Sequence, residues 1–225
     1  WEHSKGFRRE VWWLGGEGPR RVPEPCDPTE MDDSVARALA GCRGLVSVEL
    51  GDAGDLTAAG LAQLAELPAL EALRIGSNSA LGPGDLACLH RATRLRSLGL
   101  RNCHGLEDAA LADLGALTDL ETLSLQFSRL TDAGIRHLEP LQRLHTLDLD
   151  FNHGLTEHSL ESLVALAGLT SLDLELSIDT LSDAGVTSLA CMERLAHLEL
   201  GYMQRPLTDA SLAALGRSAR LETLT

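Results

Sequence analysis

A phrase of 24 to 26 residues recurs in register along most of this chain, and few architectures can accommodate it. Its clearest copy begins at Leu120 and reads Leu-Glu-Thr-Leu-Ser-Leu-Gln-Phe-Ser-Arg-Leu-Thr-Asp-Ala-Gly-Ile-Arg-His-Leu. Copies start at Leu45, Leu70, Leu95, Leu120, Leu144, Leu169, Leu195 and Leu221. Each opens L-x-x-L-x-L, with Val48 and Ile75 as the only replacements before the truncated last copy. The leucines at positions 4 and 6 alternate with polar neighbours, the period of a strand with one buried face. A second phrase follows, as from Leu130 to Leu141, whose apolar residues recur at helical spacing. Thr131, Thr156, Ser182 and Thr208 stand where that helix begins, each followed by an acid. They are expected to cap it, with the carboxylate near its positive end.

Each repeat therefore reads as a strand, a turn, a short helix and a return loop. Strands joined by helical crossovers are parallel. One unit cannot bury its leucines alone, so neighbours must stack to enclose a continuous core. The pattern resembles the leucine-rich repeat family over residues 31–225. Its Leu-Thr-Asp-Ala-Gly wording is similar to the 24- to 26-residue repeats of bacterial leucine-rich proteins and of F-box-associated receptors. The resemblance implies an α/β fold, a right-handed horseshoe-shaped solenoid. It puts a parallel sheet on the concave side and short helices on the convex side. It also implies an inward-turned Asn or Cys at the ninth position, hydrogen-bonded to the loop backbone. Here that position holds Ala53, Asn78, Cys103, Ser128, Asn152, Ser177 and Met203. The five middle residues can all donate a hydrogen bond. Ala53 and Met203 cannot, and terminal repeats are commonly atypical.

Residues 1–30 depart from the pattern and read as an N-terminal cap or as the tail of a preceding domain. The segment Phe7 to Leu14 has strand character, and Gly15 to Pro25 is rich in turn residues. Residues 31–225 form the array of seven full repeats and an eighth, truncated strand. Met31, Ala36, Leu39 and Cys42 occupy helical core positions one repeat before Leu56, Leu61, Leu64 and Leu67. Residue 1 is Trp, and Thr225 falls inside a strand phrase. The chain is therefore read as a piece of a longer protein, with targeting signals unobservable.

A net charge of −14 argues against nucleic acid and anionic lipid as partners. No apolar run approaches the length of a membrane span. The five cysteines are not clustered, and Cys42 and Cys103 fall on inward positions as expected buried thiols. That usage points to a reducing, cytoplasmic setting. No catalytic motif, cofactor fingerprint or zinc-type cysteine pair is present. The expectation is a chain that is not an enzyme and needs no cofactor or resident metal.

Positions 3, 5 and 7 project from the exposed face of the sheet. Position 3 is mostly small and hydroxylated, from Ser47 to Thr223. Positions 5 and 7 change character along the chain. Early repeats present Glu49, Arg74, Arg101, Ser124 and Gln126 among glycines; later ones present Asp148, Asp150, Asp173, Glu175 and Glu199. Like charges on neighbouring strands destabilise a sheet, so a cationic partner is the simplest compensation. A solvated acidic face and a calcium site built from Asp148, Asp150, Asp173 and Glu175 are the alternatives. Position 8 adds Phe127, Phe151, Leu176 and Tyr202 beside the acids, either as interface anchors or as residues packed under a loop.

These residues point to a non-catalytic protein-protein recognition module. Its concave C-terminal half would bind a basic and apolar protein or peptide, and Arg74 and Arg101 at the other end would meet acidic groups. The family resemblance adds two alternatives: a substrate receptor of a ubiquitin-type ligase or effector, and a sensor array attached to an enzyme domain outside this chain.

Overall fold

The computed structural model describes residues 12–15, 18–21, 32–178, 181–201, 207–218 and 220–225. Strands β1 (Trp12–Gly15) and β2 (Gly18–Arg21) form an antiparallel hairpin, with Trp12 opposite Arg21. Gly18–Arg21, within the segment rich in turn residues, is thus a second strand. β1 lies beside β3 (Ser47–Leu50), the first strand of the main sheet. That sheet continues through β4 (Ala72–Gly76), β5 (Ser97–Arg101), β6 (Thr122–Ser124) and β7 (Thr146–Asp148). It ends with β8 (Ser171–Asp173), β9 (His197–Glu199) and β10 (Thr223–Leu224). These eight strands are parallel, and neighbours in the sheet are consecutive in sequence.

The register matches residue for residue. Position 4 aligns Val48, Leu73, Leu98, Leu123, Leu147, Leu172, Leu198 and Leu224 across the sheet. From Val48 to Leu198 these side chains are buried, together with position 6 from Leu50 to Leu200. Helices return on the other side: α1 (Asp33–Leu39), α2 (Ala58–Ala65), α3 (Asp108–Leu114) and α4 (Asp132–Ile135). They are followed by α5 (Leu160–Val164), α6 (Asp183–Ala190) and α7 (Asp209–Leu215). Between α2 and α3 the crossover is a 3-10 helix, Asp85–Arg91. There Gly82 and Pro83 stand where other repeats have the Thr-acid pair, and the cap position, Gly84, makes no side-chain cap bond.

Ala36 and Leu39 are buried as expected, whereas Cys42 is exposed. It lies beyond the end of α1, where the chain turns out before β3, so helical spacing no longer governs its direction. Met31 and Met203 lie outside the described residues.

The ninth-position residues join the repeats from inside. Asn78 donates through Nδ2 to the carbonyls of Ala53 and Leu56, and its Oδ1 accepts from the Ala80 and Leu81 amides. Asn152 reaches the Leu125 and Leu149 carbonyls, and Ser177 the Leu149 carbonyl. Cys103 is buried beside the Ile75 and Arg101 carbonyls, and burial pushes its thiol up to about 11. Ser128 departs from the expectation: its hydroxyl is buried and unpartnered.

A second ladder runs along the helix starts. Thr131, Thr156, Ser182 and Thr208 cap their helices as expected, and Thr57 does the same for α2. Where an acid opens the helix, it does more than lie near a positive helix end. Asp108 accepts from the Thr131 amide and hydroxyl, and Asp132 from those of Thr156. Glu157 accepts from those of Ser182, and Asp183 from the Thr208 and Ser211 hydroxyls. Each carboxylate therefore fastens the next repeat. This explains the glycine of the Thr-Asp-Ala-Gly phrase: a Cβ on Gly134 would overlap Asp108 Oδ1, and one on Gly60 would overlap Asp33 Oδ1.

Two outcomes test this ladder. Gly134→Ala should destabilise the fold by about 1–3 kcal/mol, despite the better helix propensity of Ala, as read from a denaturation midpoint. A stabilised variant would show that Asp108 moves away freely. The hydrogen bonds from Ser182 hold the Glu157 carboxyl below its usual range, and those from Ser211 and Thr208 do the same for Asp183. Depressed carboxylates contribute stability above the unfolded-chain pKa and lose it as pH falls through the folded one. Glu157→Gln should therefore lower the melting temperature at pH 7 and shrink its drop on acidification towards pH 3.

Candidate interaction surface

The exposed sheet face is set by the alternation that buries positions 4 and 6. Position 5 brings Ser124, Asp148, Asp173 and Glu199 side by side on β6 to β9. Asp148 is the best satisfied of them. Its Oδ2 accepts from Ser124 Oγ at 3.0 Å and Gln126 Nε2 at 2.5 Å, and its Oδ1 from the Asp150 amide. Asp173 Oδ1 accepts from the Glu175 amide at 2.9 Å. Asp150 Oδ1 is screened from solvent and accepts no hydrogen bond. Ser124 and Gln126, which in sequence belong to the mixed half, thus serve the acidic patch. Their signal was positional, since they occupy positions 5 and 7 of the repeat before Asp148 and Asp150.

Burial, reinforced by the charges of Asp148 and Glu175, pushes the Asp150 carboxyl up to about 6. Burial, with Asp148, Glu199 and Asp150 adding repulsion, does the same for Asp173. The expected cost of neighbouring like charges is therefore present. No group of three or more His, Cys, Asp or Glu side chains among the described residues is arranged to hold a metal ion. Asp148, Asp150, Asp173 and Glu175 therefore do not converge into the calcium site weighed above.

Position 8 is where the strand gives way to the loop, and the backbone there is left-handed. Ser77, Asn102, Phe127, Phe151 and Leu176 have φ of 51, 56, 53, 57 and 52°. This turn lets the next residue, position 9, point inward. For a residue with a Cβ it costs about 1–2 kcal/mol, and bulky side chains are rare there. Phe127 and Phe151 are half-buried, and they pack on each other rather than under a loop. Their rings stack with centroids 4.1 Å apart at an interplanar angle of 11°. His153 meets the Phe151 ring edge-on at 6.1 Å. Leu176 is half-buried and continues the row, and Tyr202 lies outside the described residues.

The two arginines separate. Arg74 stays at the early end and pairs at 3.8 Å with Glu49 on the adjacent strand, both side chains well exposed. Arg101 does not belong with it. Its guanidinium carbon sits 5.3 Å from the Phe127 centroid, and its charge opposes the upward shift of Asp150. Arg101, Phe127, Phe151 and His153 therefore form one continuous stack beside the carboxylates. The reason is geometric: Arg101 is at position 7 of one repeat and Phe127 at position 8 of the next, so stacking makes them neighbours. Two surface hollows lie elsewhere, between return loops, one lined by Gln142, Leu166, Cys191 and Met192 and another by Arg43, Gln63 and Glu66.

Parallel strands in sequence order, inward leucines and a hydrogen-bonded inward side chain at the strand exit define a leucine-rich-repeat solenoid. Comparison with known structures agrees. The chain is similar to an internalin, InlF, from Listeria monocytogenes, with a TM-score of 0.58 and 22% identity. That match covers 83% of this chain and 56% of the internalin chain, so the chain spans little more than half of that protein's length. It is also similar to internalin C2 of the same organism, with a TM-score of 0.55 and 20% identity, over 84% of this chain and 83% of the other. Internalins are leucine-rich repeat proteins, and the likeness is one of fold. No protein-family model matches the chain, and no curated protein matches it in sequence.

The carboxylate strain has a measurable sign. A carboxyl whose folded pKa is raised favours the folded state when protonated, so stability falls as pH rises from the ordinary carboxylate range through about 6. Asp173→Asn should therefore raise the melting temperature at pH 7 by about 1–4 °C and have little effect near pH 4. A lower melting temperature at pH 7 would mean that Asp173 is held by a favourable partner instead.

Proposed function

We propose that the chain is a non-catalytic protein-recognition module whose sheet face, from Phe127 onward, binds a protein or peptide surface with basic and apolar groups. One observation carries this reading. Two half-buried phenylalanines occupy strained left-handed positions, stack on each other, and stand beside a row of mutually repelling carboxylates. A fold selected for stability alone would place Gly or Asn at those turns and alternate its charges. Strain of this kind accumulates at functional sites. Aromatic anchors surrounded by polar groups are the common composition of an interface core and its rim. The fold supports the same role, because stacked repeats present an extended concave surface.

The acids would steer a cationic partner, and Phe127, Phe151 and Leu176 would supply the apolar contact. Glu199 and Tyr202 would extend the surface towards the last repeats. Arg74, held by Glu49, would mark its early limit. A reducing, cytoplasmic setting belongs to the same reading, with Cys103 as a buried structural thiol.

Selection of a displayed random peptide library against the chain tests the proposal. Enriched peptides are expected to carry net positive charge and an apolar residue. The combined neutralisation of Asp148, Asp150, Asp173 and Glu175 to their amides should lower their affinity about 10- to 100-fold and flatten its salt dependence. Enrichment of acidic or neutral peptides, or unchanged affinity in that variant, would sink the reading.

A further inference from the structure

We propose that the array carries a built-in hinge between the repeat of β4 and the repeat of β5. The sheet side of that joint holds, while its helix side, between the 3-10 crossover and α3, opens.

Two kinds of side-chain rung tie successive repeats. On the outside, an acid at one helix start accepts from the cap of the next: Asp33 from Thr57, Asp108 from Thr131, Asp132 from Thr156, Glu157 from Ser182 and Asp183 from Thr208. On the inside, a ninth-position side chain donates back to a carbonyl of the repeat before: Asn78 to Ala53 and Leu56, Asn152 to Leu125, and Ser177 to Leu149. A joint that lacks one kind generally keeps the other. Between α2 and the crossover there is no outer rung, since Ala58 stands at the acid position, but Asn78 bridges the gap. Between α3 and α4 there is no inner rung, since Ser128 is unpartnered, but Asp108 fastens Thr131.

Of the joints between complete repeats, only the one from β4 to β5 lacks both among the described residues. Pro83 occupies the acid position, and Glu107, which precedes α3, makes no side-chain cap bond. The inner place holds Cys103, whose sulfur lies 3.9 Å from the Ile75 carbonyl. A thiol is a weak donor. The remaining side-chain ties are the Arg94–Glu71 ion pair at 2.6 Å and a 3.4 Å bond from Asn102 to Ser77, both at the surface. Exposed pairs of this kind contribute little and are screened by salt.

The backbone behaves in the opposite way. β4 and β5 pair from Ala72–Ser97 to Gly76–Arg101, the longest run in the main sheet. On the helix side Leu86, Leu89, Leu111 and Leu114 stay within the common core, but apolar contact has no preferred direction. A joint fastened along one edge and undirected along the other bends about the fastened edge. Widening the helix side tilts the early repeats towards the sheet face. The bend falls between Arg74 and the surface that begins at Phe127, so it moves the early arm and leaves the proposed recognition surface intact.

Native-state hydrogen exchange of the full chain, followed by mass spectrometry, reads the opening. A 3-10 helix exchanges readily on its own account, so α3 is the deciding segment. Its amides are expected to be about ten- to hundredfold less protected than those of α6, which has an outer rung on each side. Cys103→Asn supplies the kind of rung that Asn78 makes one repeat earlier, and should bring α3 close to α6. Two further variants test the rule without that residue. Asp108→Ala removes the only rung between α3 and α4, and should lower protection of residues 132–138 about tenfold. Asp132→Ala acts at a joint that Asn152 still bridges, and should lower protection of residues 157–164 no more than about twofold. Equal protection of α3 and α6, equal losses from Asp108→Ala and Asp132→Ala, or a folded Cys103→Asn that leaves α3 unchanged would overturn the hinge.

Discussion

In-register stacking of repeats is the constraint from which the rest of this structure follows. A single strand and its short helix expose nearly as much leucine as they cover. Only when Leu123 lies between Leu98 and Leu147, and so on along the sheet, does the apolar surface leave water. Backbone hydrogen bonds between parallel strands lock the same alignment. Any polar side chain kept at one repeat position therefore becomes a row. The structure uses this twice: ninth-position side chains join loops from within, and the acids at the helix starts join caps from outside.

The cap ladder shows how a short phrase acquires meaning from its neighbours. Within one repeat, Thr-Asp-Ala-Gly reads as a cap, a dipole-favoured acid and a helix. Across two repeats it is a hydrogen-bonded joint, with the glycine leaving space for the previous carboxylate. The ladder lapses where Gly82-Pro83-Gly84-Asp85 replaces the phrase, and the crossover there becomes a 3-10 helix. Local composition and inter-repeat contact are thus two aspects of one device.

The exposed face uses the same stacking for a different end. Rows of like charge and of aromatics are what repetition makes easy and stability discourages. Asp150 and Asp173 are pushed up in pKa, and Phe127 and Phe151 accept a backbone conformation that glycine would adopt freely. The proposed recognition surface would account for both, since charge and apolar area from a partner would complete it.

Period, strand order, helix placement and the buried leucines were all legible in the sequence, because each follows from which residues must leave water and at what spacing. The alternation also told which side chains face outward, and so identified the acidic positions and the row containing Phe127 and Phe151. Tertiary structure decided how these side chains meet. Arg101 joins Phe127 rather than Arg74, Ser124 and Gln126 serve Asp148, Cys42 turns out to solvent, and Ser128 stays unpaired. Those outcomes depend on side-chain reach and direction across neighbouring repeats, over distances of a few ångströms. A one-dimensional pattern carries the spacing of residues along the chain, whereas the contact between position 7 of one repeat and position 8 of the next exists only once the repeats are stacked.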